Sequence, residues 1–239
     1  MTTPRQHLAD IFVELSGGSP ESPLDSPGLL AALAVRSREL LGVRACSVLA
    51  GAGDSTDAAE VYASEEPARE LVLDAHLRQQ GPGPQCWDTG RPLPRTDLTG
   101  LMARQRWPYY APRALALGHT HVAARPLRGR DRTVGALVLF GSDQEPVTDE
   151  GLRLGQSLAD IVAIAVLRER ELHRSHTRTD QLEHALTSRL AIEQAKGILA
   201  ARKSLSMDES FAILRGHARS HQRKLAEVAR EVVEGRLAL

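Results

Sequence analysis

The sequence predicts an α+β protein, in which an antiparallel sheet flanked by helices precedes a long connector helix and an all-α three-helix domain. Two observations lead to this class. Residues 5–170 alternate helical periodicity with short apolar segments typical of strands, whereas residues 188–235 show helical periodicity alone. A chain of 239 residues is also long enough for two modest domains. We therefore expect domains over these two ranges, joined by a helical or coiled-coil connector at 171–187.

Two helices are expected before the first strand. Apolar residues at helical spacing over 8–15 predict an opening amphipathic helix. Ser26 and Pro27 supply an N-cap and a proline at the first helical position of a second helix. Gly42 marks its end, since glycine adopts the left-handed conformation common after helices.

The next segment predicts strands and a helix. Residues 45–50 and 59–63 have the composition of two adjacent strands, joined by the turn-rich segment 51–54. Residues 64–80 predict a further helix, and the Pro-rich stretch 81–94 predicts a loop that crosses the sheet. A ligand pocket is expected between this loop and the sheet.

A hairpin and a long helix follow. His121 to Leu127 and Thr133 to Gly141 predict two paired strands, the second apolar enough to be central. Thr148 is expected to cap the long helix, whose pattern continues almost unbroken from about 152 to 199.

A heptad repeat within this long helix predicts a homodimer. The two rows of the seam are Leu172, Thr179, Leu186 and Ser175, Leu182, Arg189. The seam is polar, so the association is expected to be weak. The alternative is that residues 175–180 interrupt the helix as a hinge.

The C-terminal residues predict three short helices. Ile192, Ala195 and Leu199 share one helical face, and Ser206 with Glu209 forms a capping-box pattern at the start of the next helix. A third helix is expected from Leu225 onward. Helices this short need one another to be stable.

This stretch resembles the ANTAR domain, a three-helix module that binds hairpins in nascent transcripts and suppresses transcription termination. The matched positions are Arg189, Ile192, Ala195, Lys196, Gly197, Leu199, Ala212, Leu214, Arg215, Ala218, Leu225, Val228 and Ala229. The sequence departs from the usual pattern at Gly216-His-Ala-Arg-Ser-His221. The resemblance implies RNA as the partner.

The first 170 residues resemble a GAF sensory domain, and the whole chain is similar to actinobacterial GAF-ANTAR regulators. The matching strings are Gln80-Gly-Pro82, Asp88-Thr-Gly90 before Arg91-Pro, Asp97-Leu98, Trp107-Pro-Tyr109, Ala114 to Gly118, Pro126-Leu127 and Gly135-Ala-Leu137. The resemblance implies a small-molecule ligand at this domain. Cys86, Trp107 and Tyr109 are the candidate pocket residues, although Cys86 stands later than relatives place their cysteine.

The charge distribution agrees with an RNA partner. Residues 178–239 hold 11 Lys and Arg against 8 Asp and Glu, while residues 1–177 carry a net charge of −3. All three lysines of the chain lie in the C-terminal segment. The predicted RNA-binding residues are Arg189, Lys196, Lys203, Arg215, Arg219, Arg223 and Lys224.

Enzymatic functions find little support, because the sequence has no nucleophile elbow, zinc-protease helix or phosphate-binding loop. A phosphoacceptor domain would need a lysine, which residues 1–177 lack. We expect no catalytic residues, cofactor or metal. Two histidine sets are assigned structural or solvated roles, because each offers few ligands: His119 with His121, and His173, His176, His184 with Asp180.

The sequence shows no signal peptide or membrane span, so a cytoplasmic protein is expected. Its function is then a signal-responsive RNA-binding regulator that promotes antitermination. The alternative is a GAF sensor acting through protein partners, with the C-terminal helices as a docking bundle. A weaker alternative is a sulfoxide-directed enzyme, because neither of the two cysteines belongs to a recognisable catalytic pair.

Overall fold

The computed structural model describes residues 4–19, 22–51, 59–130 and 132–239. These divide into two compact units, Met1–Glu171 and Leu172–Leu239. In chain order the elements are α1 (Pro4–Leu15), β1 (Gly18–Ser19), β2 (Ser22–Pro23), α2 (Ser26–Leu41), β3 (Ala45–Gly51), β4 (Ala59–Ala63), α3 (Glu66–Leu77), α4 (Pro82–Thr89), β5 (Leu93–Asp97), α5 (Leu101–Arg106), α6 (Tyr110–Ala116), β6 (His121–Arg128), β7 (Thr133–Gly141), α7 (Asp149–Lys203), α8 (Met207–Ser220) and α9 (Leu225–Val233). The predicted α+β class is confirmed.

The first unit is built on a five-stranded antiparallel sheet with the strand order β4-β3-β7-β6-β5. The apolar strand β7 is central, as predicted, and the hairpin β6–β7 pairs Val122 with Phe140. Strand β3 is buried along its whole length and pairs Val48 with Leu137. Of the turn predicted at 51–54, residues 52–54 lie outside the described residues.

Each face of this sheet carries its own core, because alternate side chains of a strand point to opposite faces. Leu137 and Leu139 of β7 pack with residues of α1, α2 and the first turns of α7. Val138 and Phe140 of the same strand pack with residues of the helices between β4 and β6. Helices thus flank the sheet on both sides.

The N-terminus of α2 differs in detail from the prediction. Asp25, not Ser26, is the N-cap, and its side chain accepts a hydrogen bond of 2.9 Å from the backbone N–H of Gly28. The hydroxyl of Ser26 is free to bond elsewhere and donates to the carboxylate of Glu169 in α7. The predicted end is confirmed, since Gly42 is left-handed.

The Pro-rich stretch 81–94 is a helix and a strand rather than a loop, which corrects the prediction. Helix α4 starts at Pro82, where a proline costs no hydrogen bond. It lies so close to the sheet that a Cβ added to Gly83 would be 3.2 Å from a methyl carbon of Val138. The space where a pocket was expected is filled at that point.

The second unit is a small helical bundle formed by the C-terminal part of α7, with α8 and α9. The capping box is confirmed, because Ser206 and Glu209 bond to each other's backbone N–H groups. The bundle's core consists of Ala191, Ala195, Leu199, Leu214, Ala218, Val228, Ala229 and Val232.

Helix α7 is continuous over 55 residues. Residues 175–180 are helical, so the backbone has no break at the hinge considered above. Among the helices of the described residues, none is both long enough and apolar enough to span a membrane.

Candidate nucleic-acid interface

The bundle turns its small and aliphatic side chains inward and its basic side chains outward. Five of the seven predicted RNA-binding residues are exposed and form no ion pair with any residue the structure describes: Arg189, Lys203, Arg215, Arg219 and Lys224. An exposed, unpaired guanidinium or ammonium group can meet a phosphate without first breaking an internal contact. These five predicted residues are therefore available to a phosphate.

Lys196 is held by contacts inside the unit. Its Nζ lies 3.0 and 2.9 Å from the two carboxylate oxygens of Glu193, one turn earlier on α7. The same atom lies 5.7 Å from the centre of the Phe211 ring. Only 16% of the Lys196 side chain is exposed. A phosphate would therefore compete with Glu193 for this ammonium group.

Arg223 forms a two-bond ion pair with Glu231, at 2.8 and 2.6 Å. The hydrogen bond from Arg223 lowers the pKa of the Glu231 carboxyl, and it raises the pKa of the guanidinium. The pair joins the loop residue before the N-cap of α9 to the C-terminal half of that helix. We assign Arg223 to holding this turn, since a bidentate pair fixes geometry on both sides.

The turn between α8 and α9 is a Schellman motif. The N–H of Arg223 donates to the carbonyl of Ala218 at 2.8 Å, and the N–H of Gln222 donates to that of Arg219 at 3.2 Å. Gln222 is left-handed, with φ of 53°. Beside it, the rings of His217 and His221 stack with centroids 4.0 Å apart. Sequence reasoning missed this pair, although four-residue spacing on a helix could have revealed it.

The candidate pocket residues of the first unit lie in different environments. Cys86 and Trp107 are buried in the core, and Trp107 meets Tyr110 edge-on. Tyr109 is 41% exposed, with the guanidinium of Arg78 lying 3.7 Å over its ring. The structure therefore does not gather Cys86, Trp107 and Tyr109 around one opening.

A cleft of about 600 Å³ opens where the C-terminal end of α4, within the stretch 81–94, meets the start of strand β7. Its lining residues are His76, Gln79, Trp87, Asp88, Thr89, Gly90, Arg132 and Thr133. The indole of Trp87 stacks on His76 and donates to the carbonyl of Thr133 at 3.2 Å. The cleft combines an aromatic wall with side chains of both charges, a mixture suited to a small polar ligand.

Both cysteines are buried free thiols. Burial raises the pKa of the Cys86 thiol to about 12, and it raises that of Cys46 further. Thiolate chemistry at neutral pH is therefore suppressed. Within the described part of the chain, no group of three or more His, Cys, Asp or Glu side chains is arranged to hold a metal ion.

Family comparisons match both parts of the chain. The GAF domain family matches residues 24–167, and the ANTAR domain matches residues 180–233. The chain therefore belongs to the GAF family, and with its ANTAR domain it has the make-up of a GAF-ANTAR regulator. GAF domains are sensors and ANTAR domains are RNA-binding antitermination modules, and neither is an enzymatic family. No curated protein sequence matches the chain.

Several solved structures are similar to this chain at low identity. A bacteriophytochrome, RpBphP3 from the photosynthetic bacterium R. palustris, is 15% identical with a TM-score of 0.51, covering 87% of this chain and 45% of its own. The GAF-B domain of DevS from Mycobacterium smegmatis is 21% identical with a TM-score of 0.43, covering 65% and 99%. The GAF domain of the cyanobacteriochrome TePixJ is 18% identical with a TM-score of 0.44, covering 65% and 94%.

Proposed function

We propose that this protein is a signal-responsive regulator that binds hairpins in nascent transcripts through its ANTAR domain and promotes transcription antitermination. The observation that carries the proposal is a set of five exposed cations, unpaired among the described residues, on a bundle that packs around a cluster of apolar side chains. Phosphate contacts supply most of the affinity of RNA-binding surfaces, and such cations are the groups that make them.

Binding to a tandem hairpin should weaken steeply with added salt, because each neutralised phosphate releases counterions. RNA that co-purifies with the protein supplies the hairpin sequence, and fluorescence anisotropy gives the affinity across a salt series. A protein without measurable affinity for that RNA at low salt would instead support the docking-bundle alternative.

A matched pair of variants locates the interface. Arg215→Ala/Lys224→Ala removes two available cations of the bundle, and Arg91→Ala/Arg104→Ala removes two exposed arginines of the GAF unit. We expect the first variant to bind RNA roughly tenfold more weakly, with a salt slope lower by about two, and the second to bind as the wild type does. Equal affinities for the two variants would move the RNA site away from α8 and α9.

We further propose that the protein works as a homodimer joined through α7. Leu172 and Leu186 are 53% and 71% exposed, which is unusual for leucines at heptad spacing unless another helix covers them. In this mechanism, a signal at the GAF unit changes the pairing of α7 helices. The pairing then decides whether two ANTAR domains can hold two hairpins together.

The signal is proposed to be a small polar ligand in the cleft beside Trp87 rather than oxidation of a cysteine. The aromatic wall and mixed charges of the cleft support a bound ligand. The burial of both thiols argues against cysteine oxidation as the signal. A thermal-shift screen of metabolites, repeated with Trp87→Leu, tests the assignment. A metabolite that shifts both proteins equally binds outside the cleft.

A further inference from the structure

The ANTAR unit carries a pair of stacked aromatic rings at its surface, those of His217 and His221. Phe211 is the only Phe, Tyr or Trp residue after position 171, and it is half-buried beneath Lys196. The stacked rings of His217 and His221 lie at the end of α8, where His221 is exposed and His217 is half-buried. We propose that this histidine pair is a stacking platform for an unpaired base of the RNA, an inference that rests on the RNA-binding function proposed above.

The orientation of the outer ring is fixed by hydrogen bonds. The Nδ1 of His221 lies 2.9 Å from the carbonyl oxygen of His217, and 2.9 Å from the hydroxyl of Ser220. Nδ1 is thus engaged inside the turn, either donating to the carbonyl oxygen or accepting from the hydroxyl. Nε2 is then the nitrogen available to an outside group. A ring held in this way loses little side-chain freedom when a base stacks on it.

The backbone also holds the platform in place. His221 is the C-cap of α8, and the Schellman turn that follows closes with the ion pair between Arg223 and Glu231. The rings therefore project from a closed turn rather than from a free end. Their interplanar angle of 22° gives a nearly parallel pair, so that a third flat ring can continue the stack.

Cations on both sides of the platform fit a nucleic-acid ligand. Arg219, in the last turn of α8, and Lys224, the N-cap of α9, are exposed and unpaired among the described residues. Their spacing along the chain brackets His221. We expect these two side chains to meet the phosphates that flank a base on the platform, because basic side chains hold the backbone in single-stranded recognition.

The ligand class follows from this arrangement. A paired base has both faces covered by its neighbours, so only an unpaired base can stack on an exposed side chain. The platform therefore reads the loop of a hairpin and not its stem. Stacking is tolerant of base identity, since every base has a flat π-face. The platform adds affinity for an open loop, with limited sequence preference.

The test uses the full-length protein and the co-purified hairpin. His221→Ala should weaken binding roughly five- to fiftyfold, and His221→Phe should restore most of the loss, because phenylalanine keeps the flat face without the ring nitrogens. The matched control is His184→Ala, which removes an exposed histidine of α7. Circular dichroism of each variant shows whether α8 and α9 remain folded.

The RNA is changed in parallel. Replacing each loop nucleotide in turn by an abasic one should identify a position at which His221→Ala causes no further loss. If no such position exists, or if His221→Phe binds as weakly as His221→Ala, the platform is refuted even though the wild type binds RNA. If the wild type itself fails to bind any hairpin, the failure lies with the proposed function.

Discussion

At the scale of single residues, His119 is the most unusual side chain of the GAF unit. It is fully buried, its ring lies 4.6 Å from that of Phe140, and neither ring nitrogen has a hydrogen-bond partner among the described residues. Burial, together with the guanidinium of Arg44, lowers its pKa to about 4. The residue is therefore neutral in the folded protein near pH 7.

This histidine should make the protein sensitive to acid. Its pKa is near 6.5 in the unfolded chain and about 4 in the fold, so the unfolded state binds more protons between these values. The free energy of unfolding is therefore expected to decrease as the pH is lowered from about 6.5 to about 4, by on the order of 2–3 kcal/mol from this group. His119→Phe should flatten this part of the pH profile, measured by urea denaturation at pH 7 and pH 4.5.

The control for this prediction is His176→Phe, which replaces an exposed histidine of α7. That variant should follow the wild-type profile at both pH values. If the free energy of unfolding changes equally with pH in the wild type, His119→Phe and His176→Phe, the pKa of His119 is the same in the folded and unfolded states, and the prediction is wrong.

Lys196 gives a second prediction at this scale, because it is an RNA candidate with an internal partner. Lys196→Ala should weaken hairpin binding and lower the salt slope by about one if the ammonium group reaches a phosphate. Glu193→Gln frees the lysine and should strengthen binding. Glu183→Gln removes the same charge from an exposed site on α7, so its smaller effect measures the general electrostatic gain.

The experiment separates two roles for Lys196. Anisotropy titrations at two salt concentrations give both affinity and slope for each variant. If Lys196→Ala binds as the wild type does and Glu193→Gln matches Glu183→Gln, the Lys196–Glu193 pair belongs to the packing of Phe211 and not to the interface.

At the scale of elements, the exposed seam of α7 predicts self-association. Leu172→Glu/Leu186→Glu should convert a dimer into a monomer at micromolar concentration, because like charges would face each other across the pair. Leu101→Glu, at a 70% exposed leucine of α5, is the control and should leave the mass unchanged. Light scattering gives the mass of each protein. A wild-type monomer, with and without RNA, would contradict the prediction.

The elements also show which sequence signals carry structural information and which mislead. Strands β3, β4, β6 and β7 and the capping box of α8 were predictable, since their apolar or capping patterns are local. Helix α4 was missed because Gly81-Pro-Gly-Pro84 is typical of loops, although its first proline occupies a helix start where proline is favoured.

Strand β5 was missed for a different reason. Pro94 interrupts a segment in which Leu93 is the buried residue, and the strand carries a register irregularity between Leu93 and Thr96. Proline is tolerated there because β5 is an edge strand, paired with β6 alone. Edge position depends on the tertiary fold, so the sequence of this segment could not reveal it.

The sequence predicts which basic residues belong to the candidate site, but not which of them are held in ion pairs. Basic residue types and their positions follow from the sequence, and five of the seven predicted residues are exposed and unpaired among the described residues. The capture of Lys196 by Glu193 and of Arg223 by Glu231 depends on rotamers and on the path of the turn. Whether a charge is free is a property of three-dimensional neighbours, which spacing alone does not fix.

At the scale of the whole molecule, the two units can be followed by separate probes. Both tryptophans, Trp87 and Trp107, belong to the GAF unit, whereas far-ultraviolet circular dichroism reports helices throughout the chain. A ligand stabilises the unit to which it binds. Saturating hairpin RNA should therefore raise the melting temperature of a transition seen by circular dichroism. The melting temperature seen by tryptophan fluorescence should stay unchanged.

A metabolite that binds the GAF cleft should instead raise the melting temperature seen by tryptophan fluorescence. A scrambled RNA of equal length and charge controls for general electrostatic stabilisation. If RNA raised the fluorescence transition alone, the nucleic acid would be bound by the GAF unit and the assignment of the two domains would be reversed.

The confinement of every lysine to residues 196, 203 and 224 has a chemical consequence. Acetylation removes the positive charge of a lysine and leaves arginine untouched. Modifying these three side chains would leave the segment 178–239 with eight positive and eight negative groups. An acetyl-transfer reaction could thus erase the net charge of the segment 178–239 without altering a single lysine side chain in the sensor, which has none. A label placed on lysine side chains would likewise report on that segment alone.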